Sequence, residues 1–347
     1  MKRTSVVFSG PRNVELVEEQ LDPPGEGEVL VQTNLSAISP GSERLIFEGL
    51  APSELPADET LPSLKGELSF PLRYGYSAVG HVRALGPGVA KTWLGQPVFA
   101  FHPHTSAFTI QASQLIRLPD DLALADAAFL PNMETALNFV QDGAPLLGER
   151  VLVIGQGVVG LLTTLLLSQT APDLLLTLEP VELRRSLSLE AGADHSFDPL
   201  SSADLAEIEQ LLKLDRDTGG ADLIFELSGN PQALNLAIRF AGFAGRLVIG
   251  SWYGSKETTG LDLGAAFHRR RLTVKSSQVS TIDPQLSGRW DKSRRLALVL
   301  QLLRETEPSR WVTHRFDVTE AGDAFAELDN PQAVQILLTY PHEGTPP

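Results

Sequence analysis

The stretch "VLVIGQGVVG", residues 151–160, joins a short apolar strand to three closely spaced glycines. Gly155, Gly157 and Gly160 match the pattern G-x-G-x-x-G, in which the first glycine makes a tight turn, the second admits a pyrophosphate and the third lets a helix pack closely on the strand. An apolar helical run follows, and amides at the start of such a helix bind phosphate. The motif and its context therefore predict a dinucleotide-binding unit of strand, turn and helix.

An acidic residue follows this motif at the distance expected for ribose recognition. Glu179 lies 24 positions after Gly155, at the end of the apolar run "LLLTLE". Its carboxylate can accept hydrogen bonds from the adenosine ribose and would repel a 2′-phosphate, which favours NAD over NADP. Arg184 and Arg185 leave a phosphate partner available, and a solvated charge at a strand end is the structural alternative for Glu179.

The sequence pattern changes at about residue 120. Residues 1–118 carry short β-type runs separated by Gly, Pro and Asp turns, which predict a compact, barrel-like β-domain. From about residue 120 apolar strands alternate with helical runs, as in a doubly wound parallel sheet covered by helices. We therefore predict an α/β plus β fold, with a catalytic domain over 1–125, an inserted Rossmann NAD-binding domain over 126–278 and a return segment over 279–347.

One long segment of the first domain reads as a surface excursion. Residues 51–70, "APSELPADETLPSLKGELSF", are rich in Pro, Ser and acidic residues. Such a composition is typical of a loop, and a loop of this length is often functional. We expect it to lie on the surface and to help shape a substrate pocket.

Charge and composition limit the partners of this chain. The 28 basic and 43 acidic residues give a formal charge of −15, which repels nucleic acid and anionic membrane surfaces. The cluster Arg269–Arg271 is expected to form a solvated edge or a subunit contact rather than an anion site. Apolar runs stay shorter than the about 18 residues of a membrane span, and the N-terminus lacks the apolar core of a signal peptide. We expect a cytoplasmic protein with a small-molecule substrate.

Cysteine is absent from the sequence. Its absence excludes disulfides, thiolate nucleophiles and every cysteine-containing zinc site.

The order of these features resembles the medium-chain dehydrogenase/reductase superfamily over nearly the whole chain. The β-rich domain comes first, "VLVIGQGVVG" begins about 150 residues in, and a C-terminal segment follows the α/β domain. The resemblance implies a GroES-like β-barrel for the catalytic domain and NAD(P)-dependent oxidoreduction as the activity.

Two motifs resemble the superfamily's zinc-binding loops but lack the ligands. In "GEVLVQTNLSAISPGSE" Ser39 stands at the cysteine position and Ser42 at the proton-relay position; in "GYSAVGHV" Tyr76 replaces the histidine and Ser77 the glutamate. The third ligand would fall near Pro131 or Asn132, and the four-cysteine structural lobe is missing. The resemblance thus implies a zinc-free branch, and "ISPGSERLIFEG" is more closely similar to the bacteriochlorophyllide hydroxyethyl dehydrogenase group.

In a zinc-free enzyme, hydrogen-bond donors must stabilise the charge on the substrate oxygen that zinc stabilises in other members. The Tyr76 phenol can donate to a carbonyl oxygen or relay a proton, although a tyrosine packed in a cleft wall is an equal alternative. Ser42 offers a second hydroxyl, against the alternative of a turn residue after Pro40 and Gly41. Glu43 is expected to pair with Arg44 or to orient the site.

Histidines give a further set of candidates. His102 and His104 in "FAFHPHTSAF" would share one face of a strand, so they can bind a metal or serve as general acid and base. We assign no metal ligand, because a third ligand is not identified. His81 is expected to be structural. Asn132 begins the helix that links the domains, where it or Glu134 can instead act as a helix cap.

The candidate sites can be stated together. The candidate catalytic residues are Tyr76, Ser42, His102, His104 and Asn132. The candidate cofactor contacts are Gly155, Gly157, Val158, Val159, Gly160, Glu179, Arg184, Thr135, Ser228 and Gly250, of which Thr135 follows from the family pattern of a threonine-alanine pair near the nicotinamide.

The function predicted from these residues is zinc-independent, NAD-dependent hydride transfer to or from a secondary alcohol or ketone group of a larger metabolite. The expected binding region is a cleft between the domains near Ser42, Tyr76, His102 and Asn132. Two alternatives remain: a quinone or enone reductase of the same fold, and a dinucleotide-binding sensor or scaffold without catalysis. The run "LTVKSSQ" over 272–278 is expected to pair across a two-fold axis in a homodimer.

Overall fold

The chain forms two compact units in a computed structural model that describes residues 1–57, 63–64, 66–216 and 219–340. One unit contains residues 1–131 and 297–347, and the other contains residues 132–296. The divisions fall inside two continuous helices, Leu130–Gly143 and Lys292–Thr306, and not at residues 125 and 278. Helical patterns run through both boundaries, so no break in the sequence marks them.

Fifteen strands and ten α-helices can be assigned within the described residues. The strands are β1 Lys2–Gly10, β2 Asn13–Gln20, β3 Glu28–Ile38, β4 Ala78–Leu85, β5 Pro97–Ala100, β6 Ala107–Gln111, β7 Ile116–Arg117, β8 Arg150–Ile154, β9 Leu174–Leu178, β10 His195–Phe197, β11 Ala221–Glu226, β12 Ala241–Ile249, β13 Thr273–Ser276, β14 Val312–Asp317 and β15 Gln335–Thr339. The helices are α1 Ser42–Phe47, α2 Leu124–Ala127, α3 Leu130–Gly143, α4 Val158–Ser168, α5 Glu182–Glu190, α6 Ser202–Leu211, α7 Ala233–Phe240, α8 Ala266–Arg269, α9 Lys292–Thr306 and α10 Ala321–Ala326. Short 3-10 turns lie at Lys91–Trp93, Ala112–Gln114, Pro308–Trp311, Val318–Glu320 and Glu327–Asp329.

The unit of residues 132–296 is built on a parallel sheet. Its strand order is β10-β9-β8-β11-β12-β13, which is the order 3-2-1-4-5-6 of a Rossmann sheet when counted along the chain. The predicted parallel sheet of Rossmann type is confirmed. The order reverses between β8 and β11, and dinucleotides bind at the carboxyl ends of strands beside such a switch point. Strand β8 is apolar on both faces because helices cover both, and Val151 to Ile154 are at most 3% exposed.

The unit of residues 1–131 and 297–347 is built on a mixed sheet. Strand β3 pairs antiparallel with β4 on one side and with both β6 and β15 on the other. Because β15 belongs to the C-terminal segment, that segment completes the sheet begun by the first residues. Phe8 and Phe47 pack against Phe325 of α10, with ring centroids 4.9 and 5.7 Å apart, and form part of its core.

The segment 51–70 does not lie wholly on the surface. Residues 58–62 and 65 lie outside the described part, but Ala57, Leu64 and Leu68 are only 3–7% exposed and join the core that contains Phe8. The expectation of a surface excursion was wrong for these three residues, because their apolar side chains pack inward between the polar ones.

Two further expectations concern the surroundings of the chain. In the part of the chain that the structure describes, no helix is both long enough and apolar enough to cross a membrane. Strand β13, Thr273–Ser276, lies at one edge of the parallel sheet and pairs with β12. Its pairing with a second copy of the chain stays a prediction.

Candidate active site

The three glycines of the turn after β8 differ in their surroundings. Gly155 has φ +94°, and a Cβ there would lie 2.5 Å from the Cα of Ser228. A Cβ on Gly160 would lie 2.0 Å from the carbonyl oxygen of Gly155, so helix α4 can approach the turn only without a side chain. A Cβ on Gly157 would meet nothing within 4 Å. The space above Gly157 is thus open, as the second glycine of a pyrophosphate site requires.

Helix α4 begins directly after this opening. Val158 is 2% exposed, Val159 packs against the core beneath the sheet, and the amide of Leu161 donates to the carbonyl oxygen of Gly157 at 2.9 Å. The apolar side chains anchor the first turn, while the first amides of a helix remain available to an anion. The turn and the helix therefore fit the phosphates of a dinucleotide.

Glu179 is held against the same turn. It is 4% exposed, one carboxylate oxygen accepts the amide hydrogen of Gln156 at 2.8 Å, and the other accepts that of Val181 at 3.1 Å. The alternative of a solvated strand-end charge is therefore wrong. Each carboxylate oxygen retains a lone pair for a ribose hydroxyl, so the residues present fit the adenosine half of a dinucleotide.

The two arginines after Glu179 have different surroundings. Arg185 donates to the backbone oxygens of Glu179 and Pro180 at 2.9 and 2.7 Å, which engages its guanidinium in holding the β9–α5 connection. Arg184 is partly exposed on α5. A contact of either arginine with an adenosine phosphate stays a prediction.

Ser228 and Gly250 lie after β11 and β12, at the carboxyl edge of the sheet. The amide of Ser228 donates to the Glu226 carboxylate at 2.9 Å, and the amide of Gly250 donates to the Glu226 backbone oxygen at 3.0 Å. A Cβ on Gly250 would lie 2.3 Å from the Phe139 ring, so this glycine serves close packing. Thr135 is half-buried on α3.

Glu226 itself was not among the predicted residues. It is 1% exposed, and the Tyr253 hydroxyl donates to its carboxylate at 2.5 Å. Burial, together with the neighbouring Glu226 charge, raises the pKa of Tyr253 above its ordinary value. The Glu226 carboxylate therefore links the segment after β11, through Ser228, to the segment after β12, through Tyr253. The sequence did mark this residue, since the apolar run "ADLIFE" ends in a glutamate as "LLLTLE" does.

In the other unit, the hydroxyls of Tyr76, Ser42 and Ser39 form a hydrogen-bonded chain. Tyr76 and Ser42 are 2.7 Å apart and Ser42 and Ser39 are 3.2 Å apart, measured between hydroxyl oxygens. Ser42 is the first residue of α1, not a turn residue, and Ser39 is 8% exposed. Tyr76 and Ser42 are partly exposed. The structure thus brings together two predicted catalytic residues and the residue at the cysteine position.

These side chains do not fit a zinc ion. Protein zinc ligands are thiolates, imidazoles and carboxylates, whereas Tyr76, Ser42 and Ser39 are hydroxyls that bond to one another. The hydroxyl of Ser77 donates to the backbone oxygen of Ala128 at 2.7 Å, away from that chain. Among the described residues no three His, Asp or Glu side chains are grouped as metal ligands.

His102 and His104 do not act as a chelating pair. They lie between β5 and β6, outside any strand, so the expectation that they share a strand face was wrong. His102 stacks on Phe108 at 3.9 Å between centroids, and its Nδ1 donates to the Pro103 oxygen. Burial lowers the pKa of His102 to about 4, so it is neutral at pH 7 and a poor general acid. His104 is fully buried, with both nitrogens bonded.

Glu43 was expected to pair with Arg44 or to orient the site, and Arg44 is not its partner. Its carboxylate, fully buried, bonds to His104 Nε2 at 2.7 Å and accepts the Ser39 amide hydrogen at 3.1 Å. Arg44 instead donates to Glu48 one turn later on the helix surface. Adjacent residues of a helix point to different faces, and of these two residues only Glu43 points inward.

The remaining candidates occupy a helix interior or a strand. Helix α3 begins at Leu130, so Asn132 and Glu134 lie inside it and the capping alternative is wrong. Asn132 is 7% exposed and belongs to the unit of residues 132–296. His81 on β4 bonds through Nδ1 to the side-chain oxygen of Asn34 at 2.8 Å, in keeping with a structural role.

The sequence is similar to those of several known dehydrogenases. Residues 175–297 match the family model "Zinc-binding dehydrogenase". The (R,R)-butanediol dehydrogenase of Bacillus subtilis is 27% identical over 297 residues, which cover 78% of this chain and 80% of the relative. The L-threonine 3-dehydrogenase of Pyrococcus horikoshii is 25% identical over 75% of this chain and 78% of its own. The matched family region excludes Ser39 and Tyr76, so it does not bear on the metal.

Solved structures share the fold. That of 2R,3R-butanediol dehydrogenase from Bacillus subtilis superposes with a TM-score of 0.78 at 20% identity, covering 98% of this chain and all of the other. That of a short chain alcohol dehydrogenase from Escherichia coli CFT073, complexed with NADH, gives 0.76 at 20% identity over 97% of this chain and 99% of its own.

Proposed function

We propose that this chain, which is similar to zinc-binding dehydrogenases, is an NAD(P)-dependent dehydrogenase or reductase of the medium-chain superfamily and that it transfers hydride to or from a secondary alcohol or ketone group without zinc. The observation that carries the proposal is the hydrogen-bonded chain of Tyr76, Ser42 and Ser39. By the resemblance, Tyr76 and Ser39 stand at two zinc-ligand positions and Ser42 stands at the proton-relay position. We further propose a larger metabolite as the substrate and NAD as the cofactor.

The hydroxyl chain supplies the proton chemistry of the proposed reaction. A nicotinamide dinucleotide held by the turn after β8 and the start of helix α4 would supply the acceptor for the hydride of the carbinol carbon. The Tyr76–Ser42 pair accepts the proton of the substrate hydroxyl and releases one to solvent, so alcohol and NAD become ketone, NADH and a proton. In the reverse direction the same hydroxyls donate to the carbonyl oxygen. Hydrogen-bond donors held in place stabilise charge on that oxygen, the task that zinc performs in other enzymes.

The dinucleotide is held by the turn of Gly155 and Gly157, by the first turn of α4 and by Glu179. We expect NADH to bind at least about 10-fold more tightly than NADPH, because a 2′-phosphate beside the buried carboxylate costs about 1.4 kcal/mol or more. Fluorescence titration with each nucleotide measures this ratio. Glu179→Gln should reduce the preference, whereas Glu182→Gln, an exposed charge on the following helix, should leave it unchanged. Tighter binding of NADPH to the unaltered protein would refute the assignment.

The catalytic role of Tyr76 is tested by removing one oxygen atom. We expect Tyr76→Phe to lower kcat about 100-fold, since a positioned acid or base contributes roughly that factor or more. The Kd of NADH should not change. The assay follows NADH absorbance with secondary alcohols, including (R,R)-2,3-butanediol and L-threonine, which the relatives' names suggest. Tyr74→Phe is the matched control, a phenol two residues away that is 5% exposed.

Several results of this assay would contradict the proposal. Unchanged turnover by Tyr76→Phe would remove the phenol from the chemistry. A stoichiometric zinc ion that turnover requires would overturn the zinc-free assignment. Turnover confined to quinones or enones would support a reductase of the same fold. Tight NADH binding without turnover of any compound would support the dinucleotide-binding alternative.

A further inference from the structure

We propose that the buried pair of Glu43 and His104 is a positioning device that holds the Tyr76 and Ser42 hydroxyls at hydrogen-bonding distance. Neither member of the pair is exposed, so neither touches substrate; each acts through the loop it supports. The inference rests on the proposed role of Tyr76 and Ser42, and it assigns the alignment of that hydroxyl pair to two residues outside it.

The His104 ring supports the loop that carries Tyr76. Gly75, the preceding residue, has φ +125°, and a Cβ there would lie 2.8 Å from His104 Cδ2 and 2.9 Å from Nε2. The backbone of Gly75 therefore lies directly against the ring, at a distance that only glycine permits. Phe325 closes the ring from another direction, edge to face at 5.9 Å between centroids. A displaced ring would release the backbone next to Tyr76.

The Glu43 carboxylate supports the loop that carries Ser42. One oxygen accepts the backbone amide hydrogen of Ser39 at 3.1 Å, and the other bonds to His104 Nε2 at 2.7 Å. Ser39 and Ser42 stand on either side of Pro40 and Gly41, so the carboxylate spans the turn that aims the Ser42 hydroxyl. One histidine ring thus joins both loops of the hydroxyl chain.

The hydrogen bonds behind the ring set its orientation. Ser36 lies 2.7 Å from His104 Nδ1 and 2.7 Å from the Tyr340 hydroxyl. The set in which Tyr340 donates to Ser36, Ser36 donates to Nδ1 and Nε2–H donates to Glu43 gives every member a partner.

The hydrogen-bonded residues Ser36, His104 and Glu43 are of the types found in the catalytic triad of a serine hydrolase. The structure excludes that role for them. Ser36, His104 and Glu43 are each 0% exposed. The Ser36 hydroxyl is already bonded to Tyr340 as well as to His104, so no ester or amide substrate reaches it. A positioning role is what remains for a fully bonded and fully buried chain.

The two bonds of His104 can be separated by two substitutions of similar kind. The side-chain amide of His104→Gln can place its nitrogen where Nε2 lies and keep the bond to Glu43. That of His104→Asn can place its oxygen where Nδ1 lies and accept the bond from Ser36 instead. A purely structural role predicts similar effects, because each variant keeps one of two buried bonds. The proposed role predicts that only the loss of the Glu43 bond disturbs Tyr76.

The readout is the ¹³Cζ resonance of Tyr76 in tyrosine-labelled protein, which needs no substrate. The chain has four tyrosines, so Tyr76→Phe assigns the signal, and Ser42→Ala gives its position with the hydroxyl pair broken. We expect His104→Asn to move the resonance toward the Ser42→Ala position and His104→Gln to leave it near that of the unaltered protein. Glu43→Asp, a side chain too short to bridge Ser39 and His104, should match His104→Asn and serves if a histidine variant does not fold.

His81→Asn is the control, because it removes a half-buried histidine bonded to Asn34 in the same unit. Equal displacement in both His104 variants, or displacement in none of the variants, would overturn the proposal. In the turnover assay His104→Asn should lower kcat roughly 10- to 100-fold at unchanged Kd for NADH, as expected for misplaced reacting groups. If Tyr76→Phe leaves turnover intact while the resonance behaves as expected, the proposed function fails and the positioning role stands.

Discussion

Gly157→Ala should leave the protein folded and raise the Kd of NADH roughly 10- to 100-fold. A Cβ at this position meets no protein atom within 4 Å, so the folded state loses nothing. The methyl group occupies the space that the pyrophosphate needs, and one lost hydrogen bond to a charged group costs about 1.5–3 kcal/mol. Fluorescence titration gives the Kd, and urea unfolding gives the stability.

Gly160→Ala is the matched control for this prediction, with the same added methyl group three residues later. Its Cβ would lie 2.0 Å from the Gly155 carbonyl oxygen, so helix α4 must move away from the turn. We expect a loss of more than about 3 kcal/mol of unfolding free energy, the upper range for overpacking. Normal NADH binding by Gly157→Ala, or normal stability of Gly160→Ala, would show that the turn does not have the roles assigned to its glycines.

Glu134→Ala should lower the free energy of unfolding by about 3–5 kcal/mol. Arg295 is fully buried, and its Nε donates to the Glu134 carboxylate at 2.9 Å. Removing one partner of a buried ion pair leaves an uncompensated charge in the interior, and that desolvation penalty has this magnitude. Asn138 also accepts from Arg295, at 2.7 Å, but an amide oxygen does not replace the charge. Chemical denaturation of the two proteins measures the difference.

An exposed ion pair in the same unit provides the comparison. Arg239 and Glu209 are 2.6 Å apart, with side chains 47% and 40% exposed. Glu209→Ala should cost no more than about 1 kcal/mol, because water screens the pair and solvates the arginine left behind. Equal effects of the two substitutions would mean that burial of Arg295 does not determine the strength of its ion pair.

The parallel sheet and its glycine turn could be predicted from the sequence because their signals are local. Strand, glycine turn and helix follow one another within residues 150–168, and each glycine's role depends on neighbours in the same segment or in the next strand. Glu179 was singled out by its spacing, and it is buried beside the turn; its contact with a ribose stays a prediction. Glu226 carried the same signal at the end of another apolar strand and was overlooked, because the fingerprint names only one acid.

The boundaries and surface segments were less predictable. Helices α3 and α9 run through the divisions at residues 131 and 296, where no turn signal marks them. Leu64 and Leu68 lie in a stretch whose average composition is polar, yet single apolar side chains within it reach the core. Composition averaged over a segment cannot report which of its residues face inward.

In the candidate catalytic site the sequence determined which hydroxyl side chains stand at the motif positions, and only the tertiary structure decided how they are held. Tyr76 and Ser42 were identified from two short motifs. The chain behind them bonds Glu43 to His104 across 61 positions, His104 to Ser36 across 68 and Ser36 to Tyr340 across 304. In its local context His104 was a candidate for metal binding or for general acid and base catalysis. Its partners come from distant strands and loops, which side-chain periodicity does not encode, so its role emerges only where the folded sheet brings them together.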